Sequence, residues 1–204
     1  MKFIDISMKI DPKIIIYPGN PKPLFKQYAS IPASKTNETL VSMGTHTGTH
    51  IDAILHIEKN GLSADKIDLK NCYGNCIVID LTKNGSVITA KDLQNKGIKK
   101  NDIVLLKTEN SLKQYSRFRK NFAHISLCAA KYLVSRKIKA VGIDYLSVKK
   151  FNTDDDVHEL LIKNMVVYEG LYLVGVTKGR YTFVGFPIKW ALDGSPTRAV
   201  LIKR

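Results

Sequence analysis

The sequence predicts an α/β or α+β fold, with a mixed β-sheet core and flanking helices. Three observations carry that expectation. Short apolar, β-branched runs recur along the whole chain, and helices with readable starts are few. No internal repeat, low-complexity tract or Pro/Gly/Ser linker divides the 204 residues. That length suits one domain, residues 1–204, with room for a core and a pocket. A hydrophobic share of 44% beside 25% charged residues lies in the globular range.

Strands are expected, in chain order, at Lys2 to Ser7, Lys13 to Tyr17, Thr39 to Met43, Asn75 to Leu81, Asp102 to Thr108, Ala140 to Asp144, Met165 to Tyr168, Tyr172 to Thr177, Tyr181 to Phe186 and Arg198 to Ile202. One helix follows the N-cap candidate Thr89, runs through Ala90 to Leu93 and is closed by Gly97. A second follows Ser126 over Leu127 to Leu133. A third starts near Asp154-Asp155-Asp156, whose charges suit a helix N-terminus, and runs from Val157 to Asn164. Strands and helices mix without a strict βαβ rhythm. The sequence has no Gly-x-Gly-x-x-Gly after a strand, no Walker A loop and no Gly-x-Ser-x-Gly elbow, which counts against nucleotide-binding and serine-hydrolase readings.

A formal charge of +14 raises the rival reading of a basic nucleic-acid-binding module. The lysines, however, are scattered from Lys2 to Lys203, with only short pairs such as Lys99-Lys100 and Lys149-Lys150. A solvated, lysine-rich surface is the expectation, with no nucleic-acid partner. The chain opens without a secretory-signal pattern, and no apolar run approaches the roughly 18 residues of a membrane span, so a cytoplasmic protein without a membrane partner is expected. Cys72, Cys76 and Cys128, an odd number, read as reduced thiols.

The segment Gly44-Thr45-His46-Thr47-Gly48-Thr49-His50-Ile51-Asp52-Ala53-Ile54-Leu55-His56 holds three of the five histidines, together with an aspartate. Imidazole nitrogen and carboxylate oxygen are what zinc, manganese or iron take in catalytic sites. A lone histidine is more often a packed core residue; a cluster of this density reads as metal ligands. In an extended strand His46, His50, Asp52 and His56 share one face. A straight strand would set His46 and His50 roughly 13 Å apart, too far for one ion, so a bend at Gly48 is expected. One segment supplies too few donors for a closed site; His158 and Glu169 are the further candidates, and His124 is given a packing or capping role.

The pattern His46-x-Gly-Thr-His50-x-Asp52-x-x-x-His56 resembles the signature of the cyclase family, which includes bacterial kynurenine formamidases and isatin hydrolases. Similar blocks follow in the family's order: Asp5-Ile6-Ser7, Tyr17-Pro18-Gly19, Gly142-Ile143-Asp144-x-x-Ser147, His158-x-Leu160-Leu161, Glu169-x-Leu171 and Ser195-Pro196-x-Arg198. The resemblance implies a swivelling β/β/α domain, a homo-oligomer (dimer or tetramer) and a centre of two zinc ions per subunit, with manganese as the alternative. His46, His50 and Asp52 would hold one ion and Asp52, His158 and Glu169 the other, with Asp52 bridging. His56 would be the acid/base, and Tyr17 would bind the substrate ring. The implied reaction is hydrolysis of the small molecule N-formylkynurenine, or a related aryl formamide, to formate and the amine; isatin-type ring opening is the alternative. Ile54 stands where the family usually has proline, Gly170 where formamidases usually have asparagine, and Asn20 where aspartate is common.

Overall fold

The apolar runs in the middle of the chain become the parallel centre of a nine-stranded sheet. The computed structural model describes residues 1–112 and 116–203. Its strands are β1 (Lys2–Asp5), β2 (Leu24–Ala29), β3 (Glu38–Ser42), β4 (His50–Asp52), β5 (Tyr73–Asp80), β6 (Val87–Ile88), β7 (Ile103–Lys107), β8 (His124–Ile125), β9 (Ala140–Ile143), β10 (Val166–Glu169), β11 (Gly179–Val184), β12 (Gly194–Pro196) and β13 (Val200–Lys203). The helices are α1 (Ala90–Leu93), α2 (Leu127–Ser135) and α3 (Val157–Asn164). The main sheet runs β1-β13-β11-β5-β7-β9-β10-β4-β12. Strands β5, β7, β9 and β10 are mutually parallel, and the pairs outside them are antiparallel.

Parallel strands buried on both faces need apolar side chains at every position. In β7, Val104 and Leu106 join the cluster under the helices, which also takes Leu93 of α1, Leu133 of α2 and Leu161 of α3. Its alternate residues, Ile103 and Leu105, enter the opposite cluster with Ile51, Tyr168, Phe183 and Leu201. Those last four lie on β4, β10, β11 and β13, from both ends of the strand order. They share a core because the sheet curls on itself. Ile6 closes the seam: its N–H donates to Ala199 O and its carbonyl accepts from Tyr172 N–H. Each fully buried Leu, Ile or Phe contributes about 1.5–3 kcal/mol.

The expected helix starts are present. The backbone N–H of Thr89 donates to Asp92 Oδ2 at 2.7 Å, Ser126 Oγ accepts from Ala129 N–H at 3.3 Å, and Asp155 Oδ1 accepts from Val157 N–H at 3.2 Å. Two expected strands are absent. Residues 13–17 follow a turn at Asp11 and run irregularly between Pro12 and Pro18, and residues 172–177 turn at Gly175, with φ +74°. A ribbon of β2 and β3 stands apart from the main sheet, and its β2 half was not foreseen. Cys72 and Cys76 are buried free thiols, and Cys128 is exposed. His124 sits in β8, its Nδ1 3.1 Å from Phe122 O, in the packing role expected of it. No helix among the described residues is long and apolar enough to cross a membrane.

Candidate metal centre

Strand β4 lies between β10 and β12, antiparallel to both, and this register builds the floor of the site. His50 stands opposite Glu169 on one side and Pro196 on the other; Asp52 stands opposite Val167 and Gly194. Alternate residues of a strand share a face. His50, Asp52 and Glu169 therefore emerge together, while Ile51 and Tyr168 enter the core. All three polar groups are buried: His50 is 2% exposed, Asp52 4% and Glu169 5%.

Only His50–Asp52 of the histidine segment is strand, so the expected extended run from His46 to His56 is replaced by a turn, a short strand and a single turn of 3-10 helix. The anticipated bend is at Gly48, whose φ of +70° is left-handed backbone that suits a residue without Cβ. The bend swings His46 back over the strand. Its Nδ1 lies 2.8 Å from Asp52 Oδ1, and its Nε2 lies 2.9 Å from Asp193 Oδ2. The ring rests against Gly194, where a Cβ would fall 2.5 Å from His46 Cε1. His158, in the first turn of α3, brings Nε2 to 2.9 Å from Asp52 Oδ2 and 3.6 Å from Glu169 Oε1. Glu169 Oε1 also accepts the Val148 N–H at 2.7 Å, which fixes the carboxylate.

The hydrogen bonds settle which nitrogen of His50 faces the carboxylates. Its Nδ1 lies 2.9 Å from the Gly48 carbonyl, which only accepts, so Nδ1 carries the proton. Nε2 is left 3.5 Å from both Asp52 Oδ1 and Glu169 Oε2. Asp52 thus divides its oxygens, Oδ1 facing His46 and His50, and Oδ2 facing His158.

The electrostatics of these groups ask for positive charge. Burial works to lower the His50 pKa, but hydrogen bonds to Asp52 and Glu169 carry it up to about 10. His158 behaves likewise: burial opposes, and Asp52 lifts it to about 9. Burial pushes Asp52 upward, yet the hydrogen bonds from His158, His46 and His50 hold it well below the usual carboxylate range. Protons on the imidazoles balance the carboxylates, and a divalent cation would displace them. Two trios bring their donor atoms within 4.8 Å of one another: His46, Asp52 and His56, and His50, Asp52 and Glu169. Nitrogen and carboxylate donors around a shared aspartate fit a catalytic transition-metal site.

His56 differs from its neighbours. It ends the 3-10 turn Ile54–His56, its ring centroid is 4.1 Å from that of His46, and its Nδ1 is 3.6 Å from Asp193 Oδ2. The side chain is 33% exposed, and partial burial beside His46 and His158 lowers its pKa despite Asp52. A cavity of about 300 Å³ opens above the cluster, lined by Tyr17, Asn20, Lys149, Lys150, Asn152 and Thr153 beside the histidines. Tyr17 joins an aromatic wall, with ring centroids 5.2 Å from Phe118 and 5.8 Å from Phe151.

His46, His50, Asp52, His56, His158 and Glu169 therefore meet at one place, and Tyr17 borders the same cavity. Asp193 was missed in the sequence; the signal available was an acid immediately before the Gly194-Ser195-Pro196 block. Asp144, part of a quoted block, lies elsewhere, accepting hydrogen bonds from Thr108 N–H at 2.8 Å and Thr108 Oγ1 at 2.6 Å.

The Cyclase family model matches residues 4–150. The chain is 32% identical to cyclase-like protein 3 of Oryza sativa, over 87% of this chain and 72% of that one. It is 29% identical to the kynurenine formamidase of Salinibacter ruber, over 98% of this chain and 97% of that one. A solved structure of a potential metal-dependent hydrolase with cyclase activity superposes with a TM-score of 0.88 at 33% identity, covering 100% of this chain and 98% of that one. With its histidine signature, curled mixed sheet and shared aspartate, the chain belongs to the cyclase family.

Proposed function

We propose that this chain, a cyclase-family amidohydrolase with a metal cofactor, cleaves the formamide bond of N-formylkynurenine or a related aryl formamide to formate and the amine. The observation that carries the reading is the convergence of four histidines and two buried acids from distant stretches beneath one open cavity bordered by Tyr17. In this reading His46, His50 and Asp52 would hold one zinc ion, and Asp52, His158 and Glu169 would hold a second. The split of the Asp52 oxygens supports that division. A divalent cation held by these residues would supply Lewis acidity and an acidified water for the hydrolysis.

The rest falls to the side chains. Its lowered pKa keeps His56 neutral near pH 7, able to take a proton on the nitrogen turned away from Asp193 and pass it to the departing aryl amine. Asp193 orients His46 through the 2.9 Å contact to its Nε2 and lies 3.6 Å from His56 Nδ1. Tyr17 and the rings behind it offer a flat face to the aryl group. The exposed β2–β3 ribbon carries Leu24, Tyr28 and Leu40 at 67%, 66% and 59% exposure. A two-stranded ribbon is marginal alone, so a second copy of the chain is its proposed cover, giving a homo-oligomer.

The test is metal analysis of the purified protein with hydrolysis assays on N-formylkynurenine, simple aryl formamides and isatin before and after chelation. Chelator-sensitive release of formate is expected. Protein that binds no divalent metal, or that turns over none of these compounds when loaded, would overturn the reading. Leu40→Glu should lower the sedimentation coefficient while leaving metal content intact; an unchanged coefficient would remove the ribbon from the interface.

A further inference from the structure

Lys149 and Lys150 border the catalytic cavity, and the metal chemistry gives them no task. Their position is set by the turn that serves the metal centre. Val148, the residue before them, fixes Glu169 through its N–H. The Lys149 N–H donates to Ser147 Oγ at 3.2 Å, and the Lys150 carbonyl accepts from Thr153 Oγ1 at 3.0 Å. The backbone of the pair is thus tied down on both sides. Neither ammonium takes part in an ion pair among the described residues, whereas Lys163 and Lys70 do.

The carboxylates nearby are committed elsewhere. Among the described residues Glu169 is the single acid lining the cavity, and it faces His50, His158 and the Val148 N–H. Asp155 accepts from Thr153 Oγ1 at 2.8 Å and from the Val157 N–H, and it does not line the cavity. An anionic group entering here meets two unpaired ammonium groups, with the side chains of Asn20 and Asn152 beside them. A cationic group meets repulsion and no free acid.

From this juxtaposition we infer that the cavity selects aryl formamides bearing a carboxylate and no compensating ammonium, with Lys149 and Lys150 as the specificity pair. The inference rests on the formamidase reading and narrows its substrate class. N-Formylkynurenine carries a carboxylate and an ammonium together, and so sits between a purely anionic and a neutral formamide. The pair acts through partly exposed charges, so its preference weakens with added salt.

The experiment compares kcat/KM of the metal-loaded protein for N-formylanthranilate, N-formylkynurenine and formanilide. It is repeated for Lys149→Met/Lys150→Met and for Lys150→Glu, with calorimetric titration of anthranilate as an activity-free readout. The unaltered protein should favour N-formylanthranilate over formanilide by about tenfold, with N-formylkynurenine between them. The double variant should bring that ratio close to one and weaken anthranilate binding by a similar factor, and Lys150→Glu should lower the ratio as well. A ratio or an anthranilate affinity that both variants leave unchanged would overturn the inference and leave the hydrolase reading standing. Failure of the unaltered, loaded protein on all three compounds would sink the hydrolase reading itself.

Discussion

The metal centre has an inner and an outer half, built from the same residue types and graded in solvent access, with His46 at 15% between them. His50, Asp52 and Glu169 lie on paired strands and are at most 5% exposed. His46, His56 and Asp193 stand on turns beside strand ends, and the side chains of His56 and Asp193 are 33% and 41% exposed. Burial raises the cost of leaving charge unbalanced, so the inner half needs a cation. Partial exposure lets His56 exchange protons with solvent and substrate. His56 is accordingly the one histidine of the cluster whose pKa falls, while His46, His50 and His158 rise.

The largest effect is expected from breaking the group that both halves share. Asp52→Ala should lose its metal and at least about 10³-fold in kcat/KM, read by metal analysis and formate release. Full metal content in that variant would refute the shared role of Asp52. Next comes His56→Ala, with metal retained and a rate lower by about 10²- to 10⁴-fold. If its metal is lost as well, the trio of His46, Asp52 and His56 describes a true ligand set, and the division between halves shifts. Asp193→Asn should cost about 10- to 100-fold and displace the pH profile of kcat, since it frees two rings without removing an inner donor. An unchanged profile would mean that Asp193 does not hold the outer pair.

The smallest effect concerns stability. In the metal-free protein His50 and His158 hold their protons up to about 10 and about 9, against 6.5 for an ordinary histidine. A raised folded-state pKa stabilises fully below the unfolded value and loses that contribution as pH climbs through the folded one. Chelated protein should therefore melt progressively lower from pH 7 to pH 10. Loaded protein should show less of this alkaline fall, because its imidazole nitrogens are engaged as ligands. Parallel melting curves for the two forms would contradict the exchange of protons for metal.

What could be read from the sequence follows from how each region is buried. Strands β7, β9 and β10 and the Cys76–Ile79 stretch of β5 are apolar at nearly every position because both faces are covered, so their runs stand out. The histidine segment stands out by chemistry. Strands β4 and β12 have three residues each and carry His, Asp, Gly and Ser, so no apolar alternation marks them; only pairing with β10 makes them strands. The ribbon strand β2 is exposed over almost its whole length, which removes the periodic signal for it. Asp193 escaped notice because its role depends on β12 lying beside β4, a neighbourhood the linear order hides. The run through Gly175 reads as strand because Tyr172, Val174, Val176 and Thr177 favour one, whereas the chain turns at Val174 and Gly175.

The three-strand arrangement β10-β4-β12 ties the donor set to the strand register, since His50 and Asp52 reach the site only when β4 is paired as it is with β10 and β12. A shift of β4 by one position would exchange Ile51 for its polar neighbours, sending an isoleucine to the ion and two charged groups into hydrocarbon. Misregistered molecules would thus be excluded by their own chemistry, so the strand that carries the donors also guards its own alignment.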